Sequence, residues 1–295
     1  MLGSLILKAK LGIIGRRENK RLERMLFHIT KEQKGLEIGP SLRPCAAKRE
    51  GYQVEIVDHL NQEELIKKYS AMNLDVSRIE EVDYVWDGRK YSELTGRKDY
   101  YDYIIASHVI EHTKDFIGFL QDCSEMLKED GILSLAIPDK RYTLDHFRTI
   151  TAIGQVIDDY LNPEKQGTTG ALMDYAIHVI KRRGLTSWAR ERDFLLKRDY
   201  EFVHNTEHNK RLYAEAIRSK GFHDIHHYVF TPASFELLIA QLQEYGFINL
   251  KIETFYNTIG EEFCVSMKKT KEFDYLSDSG KKKLLRLVSR QNVIR

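Results

Sequence analysis

Short apolar runs alternate with amphipathic segments between residues 35 and 137 of this 295-residue chain. Runs of this length, closed by polar turns, are typical of strands that are buried on both faces of a parallel sheet. Strands are predicted at Leu36–Ile38, Gln53–Val57, Val82–Val85, Tyr103–Ala106 and Ile132–Ile137. The alternation predicts right-handed βαβ units in a doubly wound sheet, whose ligands lie beyond the carboxyl ends of the strands.

The segments between these runs carry signals for helix starts. Asn61 precedes Glu64 by three residues, which is the spacing of a capping box. Thr113 is the predicted N-cap of a later helix, whose apolar residues recur at helical spacing. Thr231 followed by Pro232 predicts another helix start, because proline is favoured at the first helical position.

The pattern changes after about residue 140, where Lys, Arg, His and aromatic residues become dense and strand signals become scarce. This segment is expected to be a mainly helical insertion after the fifth strand, which closes over an acceptor. Two late apolar runs, Asn249–Thr254 and Phe263–Met267, are predicted to return to the sheet. We therefore expect an α/β, Rossmann-like, doubly wound, seven-stranded sheet. The expected parts are an N-terminal helical extension at 1–30, the sheet domain at 31–140 and 227–270, the insertion at 141–226, and a basic helix at 271–295.

Composition narrows the class of protein. Hydrophobic residues make up 42% and the formal net charge is +2, so the chain fits a folded globular protein without the strongly basic face that holds nucleic acid. Its three cysteines are widely spaced, which predicts neither a disulfide framework nor a zinc site and favours a reducing, cytoplasmic location. The apolar N-terminus is too interrupted to span a bilayer, although peripheral membrane contact through the basic terminal helices stays open.

Acidic residues end the first two predicted strands. Glu37 is followed closely by Gly39, Pro40 and Ser41, and Asp58 ends the second strand. An acid about twenty residues beyond the first glycine is spaced to reach two ribose hydroxyls. The second and third glycines of the dinucleotide fingerprint are missing, which disfavours a pyrophosphate cradle.

Several motifs in chain order resemble those of class I S-adenosylmethionine-dependent methyltransferases. More narrowly, they resemble the methyltransferase-type-11 group found with bacterial surface-polysaccharide biosynthesis genes, which shares the Gly-Pro-Ser variant. The resemblance rests on residues 36–41, 56–59, 106–112, 127–133 and 228–232. It implies S-adenosylmethionine as the cofactor and S-adenosylhomocysteine as its product. The expected acceptor is a small molecule or glycan precursor, methylated most plausibly on a sugar hydroxyl.

The resemblance also implies which residues form the site. Catalysis is expected from His112, which has a suitable unperturbed pKa for a general base, and from Asp139 and His146 near the fifth strand end. Three basic residues are candidates for holding a phosphate or an acidic sugar: Lys140, Arg141 and Arg148. The implied cofactor contacts are Glu37, Gly39, Pro40, Ser41, Asp58, Trp86, Asp87, Ser107 and His108.

Other functions remain open at this point. They are methylation of a small metabolite or natural product on O, N or C, a non-catalytic Rossmann-like binding subunit, and a disfavoured NAD or nucleotide-sugar oxidoreductase. The run His108–His112 matches the HxxEH motif of zinc proteases, but it follows a strand instead of lying within a helix. His204 and His208 share a helix face without a suitable carboxylate set, so no metal site is predicted. The oligomeric state is not fixed by the sequence.

Overall fold

The computed structural model describes residues 17–163, 169–195, 199–218, 224–272 and 275–292. The strands of this part of the chain are β1 (Lys34–Ile38), β2 (Gln53–Asp58), β3 (Tyr84–Val85), β4 (Tyr101–Ser107), β5 (Leu127–Pro138), β6 (Ile180–Arg182), β7 (Tyr200–Phe202), β8 (Leu250–Ile259) and β9 (Glu262–Lys269). The first 16 residues of the predicted N-terminal extension lie outside the described residues.

The described ranges also contain helices. They are α1 (residues 17–25), α2 (Gln62–Ser70), α3 (Tyr91–Thr95), α4 (Phe116–Met126), α5 (Ile153–Leu161), α6 (Thr169–His178), α7 (Thr206–Arg218), α8 (Pro232–Glu244) and α9 (Asp278–Gln291). None of the described helices is both long enough and apolar enough to cross a membrane.

The main sheet has seven strands in the order β3-β2-β1-β4-β5-β9-β8. Strands β1 to β5 pair in parallel, whereas β9 pairs antiparallel with both β5 and β8. The predicted doubly wound, seven-stranded sheet is therefore confirmed. The strand order reverses between β1 and β4, so the carboxyl ends of these two strands border the crevice where such sheets bind ligands.

Alternating side chains of the central strand pack on opposite faces of the sheet. Ile104 belongs to a core with Phe116 of α4 and Phe235 of α8. Its neighbour Ile105 belongs to a second core, which includes Met25 of α1. This alternation follows from strand geometry. Because both faces of β4 are buried, the sequence of the strand is a continuous apolar run. Helix α1 thus covers one face and lies close to the crevice.

The segment between β5 and α8 contains α5, α6 and α7, as the helical periodicity predicts. It also contains the antiparallel pair β6 and β7, which the sequence did not predict. Each of these strands has only three residues, too few for a periodic signal. The domain boundaries drawn around the insertion stay a prediction.

The predicted N-cap of α4 is wrong. Asp115, and not Thr113, caps this helix, and its carboxylate accepts a hydrogen bond from the N–H of Gly118 at 2.8 Å. The Thr113 hydroxyl instead donates to the carbonyl of Ile110 at 2.9 Å. A short 3₁₀ turn at Ile110–His112 delays the helix start, whereas the capping box of Asn61 and Glu64 is confirmed.

Replacing Thr231 with alanine is expected to lower the free energy of unfolding by about 1–2 kcal/mol. The buried Thr231 hydroxyl accepts from the N–H of Ser234 at 3.3 Å, and the Ser234 hydroxyl accepts from the N–H of Thr231 at 2.9 Å. Urea unfolding measures the loss. The matched control is Ser277→Ala at the exposed N-cap of α9, where we expect about 0.5 kcal/mol. Equal losses at the two caps would contradict the prediction.

Candidate active site

The loop that follows β1 has a backbone suited to glycine. Gly39 has a φ of +65°, and a Cβ atom there would lie 3.1 Å from Cγ2 of Val109 in the loop after β4. The Gly39 N–H donates to the carbonyl of Val57 at 2.8 Å, and the carbonyl of Pro40 accepts from the N–H of Arg43 at 2.9 Å. The loops after β1 and β4 therefore approach each other closely at the switch point of the sheet.

Asp58 ends β2 with a side chain that is shielded from solvent. Its Oδ2 accepts from the N–H of Ser41 at 2.8 Å and from the Ser41 hydroxyl at 3.3 Å. Its Oδ1 accepts from the N–H of His59 at 2.8 Å and lies 2.6 Å from Nδ1 of the same ring, whose side chain is 43% exposed. The fold thus brings together the loop residues and the acid that the sequence predicted around a ribose.

Glu37 lies in β1 just before this loop and is buried. Its two carboxylate oxygens accept from the N–H groups of Cys45 at 2.7 Å and Ala46 at 3.0 Å. Burial raises the pKa of Glu37, and these two hydrogen bonds oppose the rise. The carboxylate therefore fixes the path of the chain between β1 and β2.

Trp86 and Asp87 follow β3 and differ in their surroundings. The N–H of Trp86 donates to the carbonyl of Asp58 at 2.8 Å, and its ring stacks on Tyr91 with centroids 6.1 Å apart. Asp87 is exposed and pairs with Arg89 at 2.8 Å, and hydrogen bonds from Arg89 lower the pKa of Asp87. Trp86 therefore lies beside Asp58, whereas Asp87 faces solvent.

A chain of charged groups crosses the ends of β4 and β9. The guanidinium of Arg21, from α1, donates to the Ser107 hydroxyl and pairs with Glu262 at 2.7 Å. Glu262 also lies 2.7 Å from Nε2 of His108, whose Nδ1 is 3.4 Å from Glu111. Helix α1 is thus joined to both predicted cofactor residues at the end of β4.

The charged forms of His108 and Glu262 are strongly stabilised by their neighbours. Burial alone would lower the pKa of His108, but its contacts with Glu111 and Glu262 raise the pKa to about 10. Burial alone would raise the pKa of Glu262, but hydrogen bonding to His108 and the charge of Arg21 lower that pKa to about 2. At neutral pH His108 is therefore a cation and is not available as a base.

Glu111, His112 and His226 bring three potential ligand atoms within 4.8 Å of one another. Glu111 is fully buried, and neither of its oxygens has a hydrogen-bond partner among the described residues. Nδ1 of His112 lies 2.8 Å from Asp224, and Nδ1 of His226 lies 2.5 Å from Asp145. Asp145 therefore holds the His226 ring by a hydrogen bond at Nδ1, whereas Nδ1 of His112 has a close charge partner in Asp224 but no well-formed hydrogen bond.

Asp139, a predicted catalytic residue, is fully buried at the end of β5. Its Oδ1 accepts from Nε of Arg141 at 2.9 Å, and its Oδ2 accepts from Nη2 of Arg141 and from the Thr258 hydroxyl, each at 2.6 Å. Both oxygens are therefore occupied by contacts that fasten the end of β5 to β8. This environment favours a positioning role, and the catalytic role of Asp139 stays a prediction.

His146, another predicted catalytic residue, lies in an aromatic cluster of the insertion. Its ring stacks on Tyr200 at 5.2 Å and lies 5.6 Å from the ring of Trp188. Its Nδ1 is 2.9 Å from the carbonyl of Arg141, and its Nε2 is 3.5 Å from the Tyr200 hydroxyl. Burial lowers the pKa of His146, so the ring is neutral at physiological pH.

The basic residues predicted to hold an anion are largely engaged elsewhere. Arg141 pairs with Asp139 at 2.6 Å, and Arg148 pairs with Asp145 at 2.8 Å. Lys140 is buried, and burial lowers its pKa. The prediction of a phosphate site at these residues therefore gains no support from their contacts.

Sequence reasoning did not assign Arg21, Glu262 or His226 to the site. Arg21 stands among other basic residues of a helix, and no local signal separates it from them. Glu262 is an acid at the first position of an otherwise apolar strand, a signal that could have identified it. His226 follows a histidine-rich segment and becomes informative only when the fold brings it to Glu111.

This strand order, with an antiparallel strand inserted beside β5, together with an acid at the end of β1 and another at the end of β2, defines a class I methyltransferase fold. The chain matches the family model described as "Methyltransferase domain" over residues 15–251, and it belongs to that family. It is therefore an S-adenosylmethionine-dependent methyltransferase, and S-adenosylmethionine is its cofactor. No curated protein matches the chain.

Solved structures with related folds are distant. A putative Zn-dependent alcohol dehydrogenase from Rhodobacter sphaeroides is 9% identical with a TM-score of 0.45, covering 85% of this chain and 89% of that one. A methyltransferase from Methanosarcina mazei is 13% identical with a TM-score of 0.42, covering 83% and 95%. A putative methyltransferase from Listeria monocytogenes has the same identity and TM-score, covering 87% and 100%. Similarities of this size carry no argument about the acceptor.

Proposed function

We propose that the protein transfers a methyl group from S-adenosylmethionine to a hydroxyl group of a sugar or glycan precursor. The observation that carries this proposal is the cluster of Glu111, His112 and His226 directly beyond β4. A hydroxyl is a poor nucleophile until its proton is removed or its oxygen is polarised. This cluster supplies groups for that purpose at the edge of the sheet where the cofactor is expected.

The residues at the carboxyl edge fit the cofactor. Gly39 allows the backbone to approach a ligand closely, and in this proposal the ribose hydroxyls replace the Ser41 hydroxyl and the His59 ring at the Asp58 carboxylate. Trp86 offers an aromatic face beside Asp58 for the adenine ring. When bound, the cofactor supplies an electrophilic methyl group on a sulfonium ion. We propose that the contacts are made by Glu37, Gly39, Pro40, Ser41, Asp58, Trp86, Asp87, Ser107 and His108.

His112 is the proposed group for the acceptor proton. Its Nδ1 lies 2.8 Å from Asp224, so its Nε2 can face the acceptor oxygen. The carboxylate partner raises the pKa of His112 although burial acts in the opposite direction. A neutral ring takes the proton directly, and its carboxylate partner stabilises the imidazolium that results.

The aromatic cluster of the insertion supports a carbohydrate as the acceptor. Asp145 holds His226 of the polar cluster, and the next residue, His146, stacks on Tyr200. Trp188 and Tyr200 are thus linked to the cluster of Glu111, His112 and His226 through the consecutive residues Asp145 and His146. A flat aromatic surface beside hydrogen-bonding groups suits a sugar, which has an apolar C–H face and a polar rim.

The acceptor class is tested by incubating the purified protein with S-adenosylmethionine and sugars, nucleotide sugars, amines and phenols, each in turn. We expect one acceptor of the sugar class to gain a single methyl group by mass spectrometry, as a base-stable ether. Formation of S-adenosylhomocysteine should accompany it in equal amount. Turnover confined to amines or to phenols would contradict the proposal, while leaving the methyltransferase family assignment intact. The cytoplasmic location and the link to polysaccharide biosynthesis stay predictions.

A further inference from the structure

Glu111 is a buried carboxylate whose charge is balanced by the nearby His108 cation but whose oxygens accept no well-formed hydrogen bond. Its side chain is fully buried, and both oxygens lack a hydrogen-bond partner among the described residues. The neighbouring ring nitrogens, Nδ1 of His108 and Nε2 of His112, lie 3.4 and 3.9 Å away. Because hydrogen bonds do not occupy the Glu111 oxygens, their lone pairs remain available to a further positive group.

Two imidazole rings converge on the same carboxylate from distant parts of the chain. The ring centroids of His112 and His226 are 4.7 Å apart and the ring planes are nearly perpendicular. The two rings can therefore approach one ion from different directions. The side chain of His226 is 14% exposed and that of His112 is 30% exposed, which leaves one side of the cluster open to solvent. The sequence analysis predicts no metal site, because the HxxEH run follows a strand instead of lying within a helix, and it does not bring His226 to that run.

We propose that Glu111, His112 and His226 bind one divalent transition-metal cation of the Mn²⁺ to Zn²⁺ series. Two imidazoles and one carboxylate suit these ions, whereas Mg²⁺ and Ca²⁺ favour oxygen ligands. Metal bonds of about 2.0–2.2 Å place neighbouring ligand atoms about 3–3.5 Å apart. The present separations of up to 4.8 Å therefore have to shorten by up to about 1.5 Å, which rotation of the side chains can achieve.

The surroundings of the two rings match those of metal-binding histidines. Asp145 lies 2.5 Å from Nδ1 of His226, and Asp224 lies 2.8 Å from Nδ1 of His112. A carboxylate on the far nitrogen fixes the tautomer and directs the other nitrogen toward the metal. Asp145 is itself held by Arg148 at 2.8 Å, so the His226 ring is supported by a buried network.

Three protein ligands leave coordination positions free for other oxygen atoms. Those positions would accept an oxygen of the acceptor, and adjacent hydroxyls of a sugar can bind one cation together. In the cation-bound protein the lone pair of His112 Nε2 is used as a ligand, so polarisation of the hydroxyl by the cation replaces proton removal by that ring. The proposal that a cation binds is inferred from the geometry of the three side chains alone. Only its contact with an acceptor oxygen rests on the proposed function.

The test uses the full chain after chelator treatment and dialysis, titrated with Co²⁺ and followed by visible absorption and calorimetry. We expect one equivalent to bind with the d–d spectrum of a nitrogen- and oxygen-ligated ion. Glu111→Gln and His226→Gln should each weaken binding by at least 10-fold, in protein shown by circular dichroism to be folded. Asp145→Asn should weaken it by about 10- to 100-fold through the orientation of His226.

His208→Ala is the matched control, because His204 and His208 form a stacked histidine pair at 4.5 Å on the insertion. This variant should bind Co²⁺ as the unaltered protein does. Failure to bind Co²⁺ at millimolar concentration, or binding lost in His208→Ala but kept in Glu111→Gln, would overturn the proposal. If Co²⁺ binds but no hydroxyl acceptor is methylated, the acceptor class fails and this site stands. If methylation proceeds in protein that binds no cation, the site fails and the proposed function stands.

Discussion

Asp58→Ala is expected to raise the dissociation constant for S-adenosylhomocysteine by about 100-fold. A carboxylate can accept from both ribose hydroxyls, and hydrogen bonds to a charged group contribute about 1.5–3 kcal/mol each. In the structure each Asp58 oxygen accepts from one backbone N–H, and the remaining acceptor positions are taken by the Ser41 hydroxyl and the half-exposed His59 ring. Both are side chains that rotate away easily, so the ribose can replace them. Isothermal titration calorimetry measures the affinity.

The control for this prediction is His59→Ala, which removes the neighbouring ring but leaves the carboxylate. We expect its affinity for S-adenosylhomocysteine to stay within about three-fold of the unaltered protein, because His59 contributes no acceptor for the ribose. Thermal unfolding of both variants verifies that the loop held by Asp58 still folds. Unchanged affinity in Asp58→Ala, or an equal loss in both variants, would remove Asp58 from the cofactor site.

The sheet could be predicted because its signals are local. Each buried strand reads as an apolar run closed by a polar turn, and the capping boxes at Asn61 and Thr231 each lie within four residues. The error at Thr113 has the same origin. A threonine and an aspartate two residues apart are both good caps, and only the 3₁₀ turn before them decides between the two.

The polar cluster could be predicted only in part, because its members are brought together by the fold. His112 and Glu111 belong to a recognisable run after β4, but His226 reaches them from the segment before α8. The same is true of Arg21 and Glu262, which meet His108 and Ser107 from opposite ends of the chain. A sequence pattern identifies residue types at strand ends, whereas the contacts among strand ends follow from the strand order.

The roles of predicted residues also depend on what their side chains contact. Asp139 and Asp58 both follow parallel strands and look alike in the sequence. Besides two backbone N–H groups, Asp58 is bonded to two side chains that can leave, whereas Asp139 is bonded to a guanidinium and a buried hydroxyl. A carboxylate that is saturated by protein donors has no free lone pair for a substrate proton. Replacing Asp58 is therefore expected to lower the affinity for the cofactor, whereas replacing Asp139 is expected to lower the stability of the fold.

Asp139→Ala is expected to lower the free energy of unfolding by about 3–5 kcal/mol, because it leaves Arg141 and the buried Thr258 hydroxyl without their partner. Urea unfolding at neutral pH measures the loss. Activity per folded molecule should change only a few-fold, since the carboxylate fastens β5 to β8 and does not take the acceptor proton. That readout separates a positioning role from a catalytic one.

The control variant is Asp87→Ala, in which the same Asp-x-Arg spacing occurs at the surface. Asp87 pairs with Arg89 at 2.8 Å, but both side chains are about half exposed, and such pairs contribute about 0–1 kcal/mol. We therefore expect almost no loss of stability there. Equal losses in the two variants would contradict the burial argument. Normal stability of Asp139→Ala with turnover reduced by more than about 100-fold would instead restore Asp139 as the catalytic base.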